Sequence, residues 1–208
     1  MPVVDAYLGL GSRYSYLAST QLDRIARETS AAFNWIPIFS EELRPPDRDP
    51  FKGPPISGQY EWFYRRQDAE AWADYYQVPF REPMGRLTVD HRILVRAALA
   101  AGALKQRVPM MKRLFAAVFV DDRSEIDAAA CIDCAVDIGI ERNAFRNAFQ
   151  NPAIEAERFA ILERAQARGV FGVPFFLTGG RTYFGNDRLV LLAHHLKQRT
   201  DDRGRKAK

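Results

Sequence analysis

The chain predicts an α/β fold with strands at both ends and a long all-helical block between them. Three observations carry this reading. The start follows a strand–helix–strand order, the end carries two strands joined by a Gly-Gly turn and then a helix, and nearly every apolar pattern between them has helical spacing. The two ends are expected to share one sheet as one unit, residues 1–58 and 168–208, with residues 59–167 as an inserted helical domain. With 208 residues, 47% of them hydrophobic, the chain can bury a substantial core.

Val4, Ala6, Leu8 and Leu10 alternate with Val3, Asp5, Tyr7 and Gly9, and both sets carry apolar side chains, as a central strand requires. Ser12 then stands where a helix N-cap would, and Ala18, Leu22, Ile25 and Ala26 continue at helical spacing to about Thr29. A second strand is expected over residues 31–39. Five prolines follow (Pro45, Pro46, Pro50, Pro54, Pro55) and break regular structure in a long loop. Helical segments are expected over residues 60–78, 90–104, 106–122, 124–139, 142–150 and 152–169, the fourth opening near Ser124 and the last with Pro152 near its start and Gly169 at its end. Residues 175–177 and 181–184 read as a hairpin, Gly185-Asn186 as a turn, and Asp187 as the start of the last helix. The order βαβ, helices, ββα is that of a thioredoxin-like fold with an inserted α-domain.

Composition narrows the function classes. The net charge is +4, and the last ten residues, with five Lys/Arg and two Asp, contribute +3 of it. The body is therefore near neutral and shows no basic stripe with interleaved aromatics, so no nucleic-acid partner is expected and the tail reads as a solvated terminus. No run approaches the ~20 apolar residues of a membrane span, and the first residues read as a strand and not a secretory signal, so a cytoplasmic protein without membrane contact is expected. Cys131 and Cys134 spell a CxxC, but inside a helical pattern, where they read as two small buried residues on one face. His91, His194 and His195 show no ligand spacing, and no metal is expected.

Three segments carry a resemblance: "SRYSYLA" after the first strand, "GVFGVPFF" late in the chain, and "FGNDRL" before the last helix. Together they resemble the 2-hydroxychromene-2-carboxylate isomerases, close kin of kappa-class glutathione transferases and more distantly of periplasmic disulfide oxidoreductases. The resemblance spans essentially the whole chain. It implies a glutathione cofactor and a small aromatic carboxylate substrate, with glutathione thiolate adding reversibly. A kappa-like transferase and a non-catalytic thioredoxin-fold binder are the alternatives, and a homodimer is compatible with each.

Ser12 and Ser15 occupy the positions where disulfide oxidoreductases carry CxxC, which excludes dithiol exchange at this turn. The resemblance makes Ser12 the catalytic residue, its hydroxyl donating to the thiolate at a helix N-terminus, where unpaired N–H groups and the dipole favour negative charge. A plain N-cap is the other reading of Ser12, and Ser15 is expected to be structural or supporting. "GVPF" implies a cis bond at Pro174, with the Val173 backbone pairing the cysteinyl part of glutathione. Asn186 and Asp187 are implied to hold its γ-glutamyl end, or else to cap the last helix. Where the family reads Asp-Phe-x-Ser-Pro, this chain has Gly9, Leu10, Gly11, Ser12 and Arg13. Arg13 could face a thiolate or acidic substrate, or point to solvent. Where the family has an Asn shortly before Pro-Pro and a Lys further on for glutathione, this chain has Lys52 before Gly53-Pro54-Pro55 and Glu61 at the usual Lys position, with Arg65 and Arg66 nearby as substitutes; Lys52 is kept as a glutathione-binding candidate. Trp62, Phe63 and Tyr64 could line the substrate site or belong to a core.

Overall fold

The computed structural model describes residues 1–43 and 61–206. β1 (Val3–Leu8) is an interior strand of a four-stranded sheet ordered β2-β1-β5-β6. It runs parallel to β2 (Ala32–Pro37), with Ala6 opposite Trp35, and antiparallel to β5 (Phe175–Thr178), with Ala6 opposite Phe176. β6 (Arg181–Phe184) closes the hairpin with β5. Val4, Ala6 and Leu8 have no exposed surface and Tyr7 is 2% exposed, so both faces of β1 are covered. This is why its sequence is apolar at consecutive positions and not only at alternate ones.

α1 (Arg13–Thr29) leaves the end of β1 after a tight turn in which the Ser12 N–H donates to the Gly9 carbonyl at 2.9 Å. Ser12 caps it: the backbone is extended and its Oγ accepts from the Ser15 N–H at 3.2 Å. Leu17, Ala18, Leu22 and Ile25 bury the inner face.

The middle of the chain holds α2 (Trp62–Tyr76), α3 (His91–Ala103), α4 (Arg107–Phe119), α5 (Ala128–Asp137), α6 (Arg142–Gln150) and α7 (Ala153–Ala167). α3 is the central helix. Its Ala97, Ala98, Ala100 and Ala101 have no exposed surface, and α4, α5, α6 and α7 all pack on it. Alanine allows that approach because no long side chain stands between the backbones. Tyr16 of α1 joins this block to the sheet. Its ring stacks on Phe119 at 5.1 Å and packs near Phe80 and Phe115, and its hydroxyl donates to the Pro79 carbonyl.

Two boundaries differ from expectation. The helix expected near Ser124 begins at Ala128, capped by Asp127, whose carboxylate accepts from the Ala130 N–H at 2.8 Å. Residues Glu125–Ile126 form instead a short strand, β4, parallel to β3 (Thr88–Val89). Extended pairing and an aspartate cap together outcompete a serine start. At the end of the chain, Asn186–Arg188 is a turn of 3-10 helix and α8 (Leu189–Lys206) begins only after it. Gly185, at φ +102°, makes the reversal that separates β6 from this turn.

Candidate active site

The strand-to-helix junction draws three distant segments together. A side-chain carbon on Gly9 would lie 2.8 Å from Val173 Cγ2 and 3.6 Å from Ser12 Cβ, so the Val173 side chain packs on the Gly9 backbone at the junction that leads into Ser12. The Val173–Pro174 bond is cis. The Pro174 carbonyl accepts from the Gly185 N–H at 3.0 Å, which ties this loop to the turn carrying Asn186 and Asp187. That turn in turn packs on α1.

Ser12 makes the cap and still has a proton to give. Its oxygen accepts from Ser15, and a hydroxyl has one donor besides its two lone pairs. Capping and donation to an anion are therefore compatible. The helix leaves the Arg13 and Tyr14 N–H groups without an acceptor of its own, as every first turn does. Ser15 is structural: it is fully buried and its Oγ accepts from the Gly9 N–H at 3.2 Å, locking the turn.

Arg13 does not point to solvent. Its side chain is 10% exposed and lies 2.8 Å from Glu82, itself 5% exposed. Burial is the main influence on Arg13 and pushes its pKa down, Glu82 opposing this, while Arg65 stands near enough to add to the fall. Tyr14 is pushed up to about 12, first by burial and then by Asp68 beside it. Among the described residues, Arg13 and Arg65 here stand against Glu82 and Asp68.

Asn186 is 2% exposed, yet neither its amide nitrogen nor its oxygen has a hydrogen-bond partner. The phenol of Tyr76 faces it without reaching hydrogen-bonding geometry. The expected capping role is not made, because the 3-10 turn precedes the helix. Asp187 is half exposed and lies 3.2 Å from Arg188. Both residues line a groove of about 820 Å³ between α1, α2 and α8.

Lys52, with the Pro-rich loop, lies outside the described residues. Trp62, Phe63 and Tyr64 are 38%, 63% and 51% exposed, which rules out the core for all three. The aromatic residues of the groove are instead Trp72, Tyr75 and Tyr76, later on the same helix. Arg66 is engaged with Glu70 at 2.9 Å and lies over the Trp62 ring. His91 was not a site candidate in the sequence, since it belongs to no ligand pattern. It packs against Gly11, one residue from Ser12.

Cys131 and Cys134 are buried on α5, and burial raises both thiols, Cys131 to about 12. Thiols held protonated are poor nucleophiles. The folded protein is expected to leave both unmodified by Ellman's reagent, and denaturant should release two. Rapid labelling of the native protein would contradict their burial.

Among the described residues no group of His, Cys, Asp and Glu could hold a metal ion, and no helix is long and apolar enough to cross a membrane. A mixed sheet with the α1 N-terminus facing a cis-proline loop defines a thioredoxin-fold protein, here with serine in place of the redox cysteine. The chain belongs to the family described as the DSBA-like thioredoxin domain, which matches residues 3–197. The resemblance read from the three sequence segments is borne out by its relatives. A 2-hydroxychromene-2-carboxylate isomerase of Sphingobium xenophagum is 28% identical over 93% of this chain and 97% of its own length. Another so named, from Pseudomonas sp. (strain C18), is 24% identical over 91% of this chain and 88% of its own. The solved structure of a 2-hydroxychromene-2-carboxylate isomerase superposes with a TM-score of 0.82 at 22% identity, covering 99% of each chain.

Proposed function

We propose that this chain is a glutathione-dependent isomerase acting on 2-hydroxychromene-2-carboxylate or a close analogue. The observation that carries the reading is the turn between β1 and α1. A capped helix N-terminus with a free serine proton lies under the Val173–Pro174 loop, and no cysteine is present there. A thiol for such a site must come from a bound molecule. The relatives' shared name supports the substrate class.

The residues fit glutathione. The buried amide of Asn186 lacks partners and would find them in the polar γ-glutamyl end, and Asp187 offers a carboxylate to its ammonium. The Val173 backbone would pair with the cysteinyl part, and Lys52 remains a candidate from the loop. When bound, glutathione would supply a sulfur nucleophile that is recovered unchanged. The Ser12 hydroxyl would donate a hydrogen bond to that sulfur, and the first-turn N–H groups would favour its anionic form.

Calorimetric titration with glutathione tests the binding, and an assay with the hydroxychromene carboxylate tests the reaction. Product should form with no net loss of glutathione. Consumption of one glutathione per product would identify a transferase instead, and no binding would sink the cofactor assignment. Ser12→Ala should lower turnover by about 10- to 100-fold at neutral pH, because a hydrogen bond to a charged group contributes about 1.5–3 kcal/mol. The bound thiol should then titrate about one to two units higher. With the pKa raised, thiolate is scarce at neutral pH and returns as pH passes the new value, so the variant's rate should recover in alkali. Superimposable pH–rate profiles, with only the stability loss of about 0.5–2 kcal/mol from the missing cap, would reduce Ser12 to a structural residue.

A further inference from the structure

We propose that a cavity between the sheet and α7 is a binding site for a small oxyanion, of the size of phosphate or a short dicarboxylate. The cavity measures about 150 Å³. A water takes about 30 Å³ of liquid volume, so one such ion fits. The cavity shares no lining residue with the groove that carries Asn186, and the inference does not depend on the glutathione reading.

The walls follow from periodicity. Asp5 and Tyr7 stand two apart on β1 and so share one face of the sheet, and Asn34 of β2 is opposite Asp5 in the register. These three make the floor. Glu157, Arg164 and Arg168 recur seven and four residues apart, a single stripe along α7 and its C-terminal end, and make the opposite wall. Arg107, the first residue of α4, adds a third side. Gly102 leaves room for it, since a side-chain carbon there would lie 2.7 Å from Nε and 2.8 Å from Nη2 of Arg107.

The bonds already made leave donors over. Asp5 uses both its oxygens, Oδ1 accepting from Asn34 at 3.0 Å and Oδ2 from Arg168 at 2.5 Å. Arg107 Nη2 donates to Glu157 Oε1 at 2.6 Å, while Arg107 Nε is buried without a partner. Tyr7 is 2% exposed; its oxygen accepts from Arg168 at 3.4 Å, and among the described residues nothing accepts its proton. Arg164 has no ion pair and no side-chain hydrogen bond among the described residues. The acceptors left are the second oxygen of Glu157 and the amide oxygen of Asn34. Three guanidiniums therefore face two carboxylates, and the unspent groups are mostly N–H and O–H donors, a set complementary to an oxyanion. A seam that only held α7 on the sheet would need the Arg168–Asp5 and Arg107–Glu157 pairs, and nothing from Arg164 or from the Tyr7 hydroxyl.

The test is calorimetric titration of the whole protein at low ionic strength with inorganic phosphate and, separately, with malonate. Sodium chloride at matched ionic strength is the control. Wild type should bind one equivalent of phosphate or malonate, and the tighter of the two tells phosphate chemistry from dicarboxylate chemistry. Arg164→Gln should weaken that binding by about 10-fold or more, and Tyr7→Phe, which keeps the ring and removes only the hydroxyl, by a similar factor, as loss of a hydrogen bond to a charged group predicts. Arg164 is exposed, so its replacement does not threaten the fold. No heat beyond that of chloride would overturn the site, and so would binding by Arg164→Gln as tight as wild type. Weakening by Arg164→Gln with Tyr7→Phe unchanged would mark attraction to an exposed charge alone, and would overturn it as well.

Discussion

Phe119→Ala is expected to destabilise the protein by about 3–5 kcal/mol, the range for removing a fully buried aromatic side chain. Phe119 has no exposed surface and lies among Tyr16, Phe80 and Phe115, with ring centroids 5.1, 6.0 and 6.4 Å away. Its removal would open a cavity under Tyr16, the second turn of the helix that carries Ser12. For a chain of this size the melting temperature should fall by roughly 6–20 °C. Val190→Ala, at a side chain 70% exposed, should stay within about 0.5 kcal/mol. The measurement is urea or thermal unfolding followed by circular dichroism. A Phe119→Ala melting point within a degree or two of wild type would show that α1 does not depend on this contact.

Glu82→Ala should destabilise by about 3 kcal/mol or more, because it leaves the Arg13 charge in a nearly closed site with its partner gone. The two side chains meet at 2.8 Å but out of line for a hydrogen bond, so the attraction is that of an ion pair. Replacing both partners, Arg13→Leu with Glu82→Leu, should recover most of the loss, since neither charge is then desolvated. A double variant as unstable as Glu82→Ala would mean that Glu82 acts through packing and not through Arg13. Urea unfolding of the wild type, Arg13→Leu, Glu82→Leu and the double variant closes the cycle, with Glu82→Ala measured beside it.

Much of the fold was legible because its local rules agree. β1 is apolar on both faces, Ser12 is a good cap, and the Gly-Gly turn joins two short strands; each of these depends on neighbours in sequence. The boundaries that moved are those where distant pairing decides. β4 exists because Thr88 and Val89 lie beside Glu125 and Ile126, more than thirty residues away in the chain. The late start of α8 follows from the Gly185 turn and its hydrogen bond to Pro174.

For the site, the sequence by itself determined which groups are available. Hydroxyls stand where a redox pair would be, Val173-Pro174 and Asn186-Asp187 follow in family order, and the CxxC falls within a helical stretch. Only the tertiary structure decided what those groups face. It turned Arg13 inward onto Glu82, left the Asn186 amide buried without partners, and brought Trp72 and Tyr76 to the groove while Trp62 and Tyr64 stayed exposed. It also set the His91 ring on Gly11 across eighty residues of chain. The physical reason is common to all of these. Caps, turns and periodicity are interactions within a few residues, whereas burial, ion pairing and the pKa of an imidazole depend on whatever packs alongside from elsewhere in the fold.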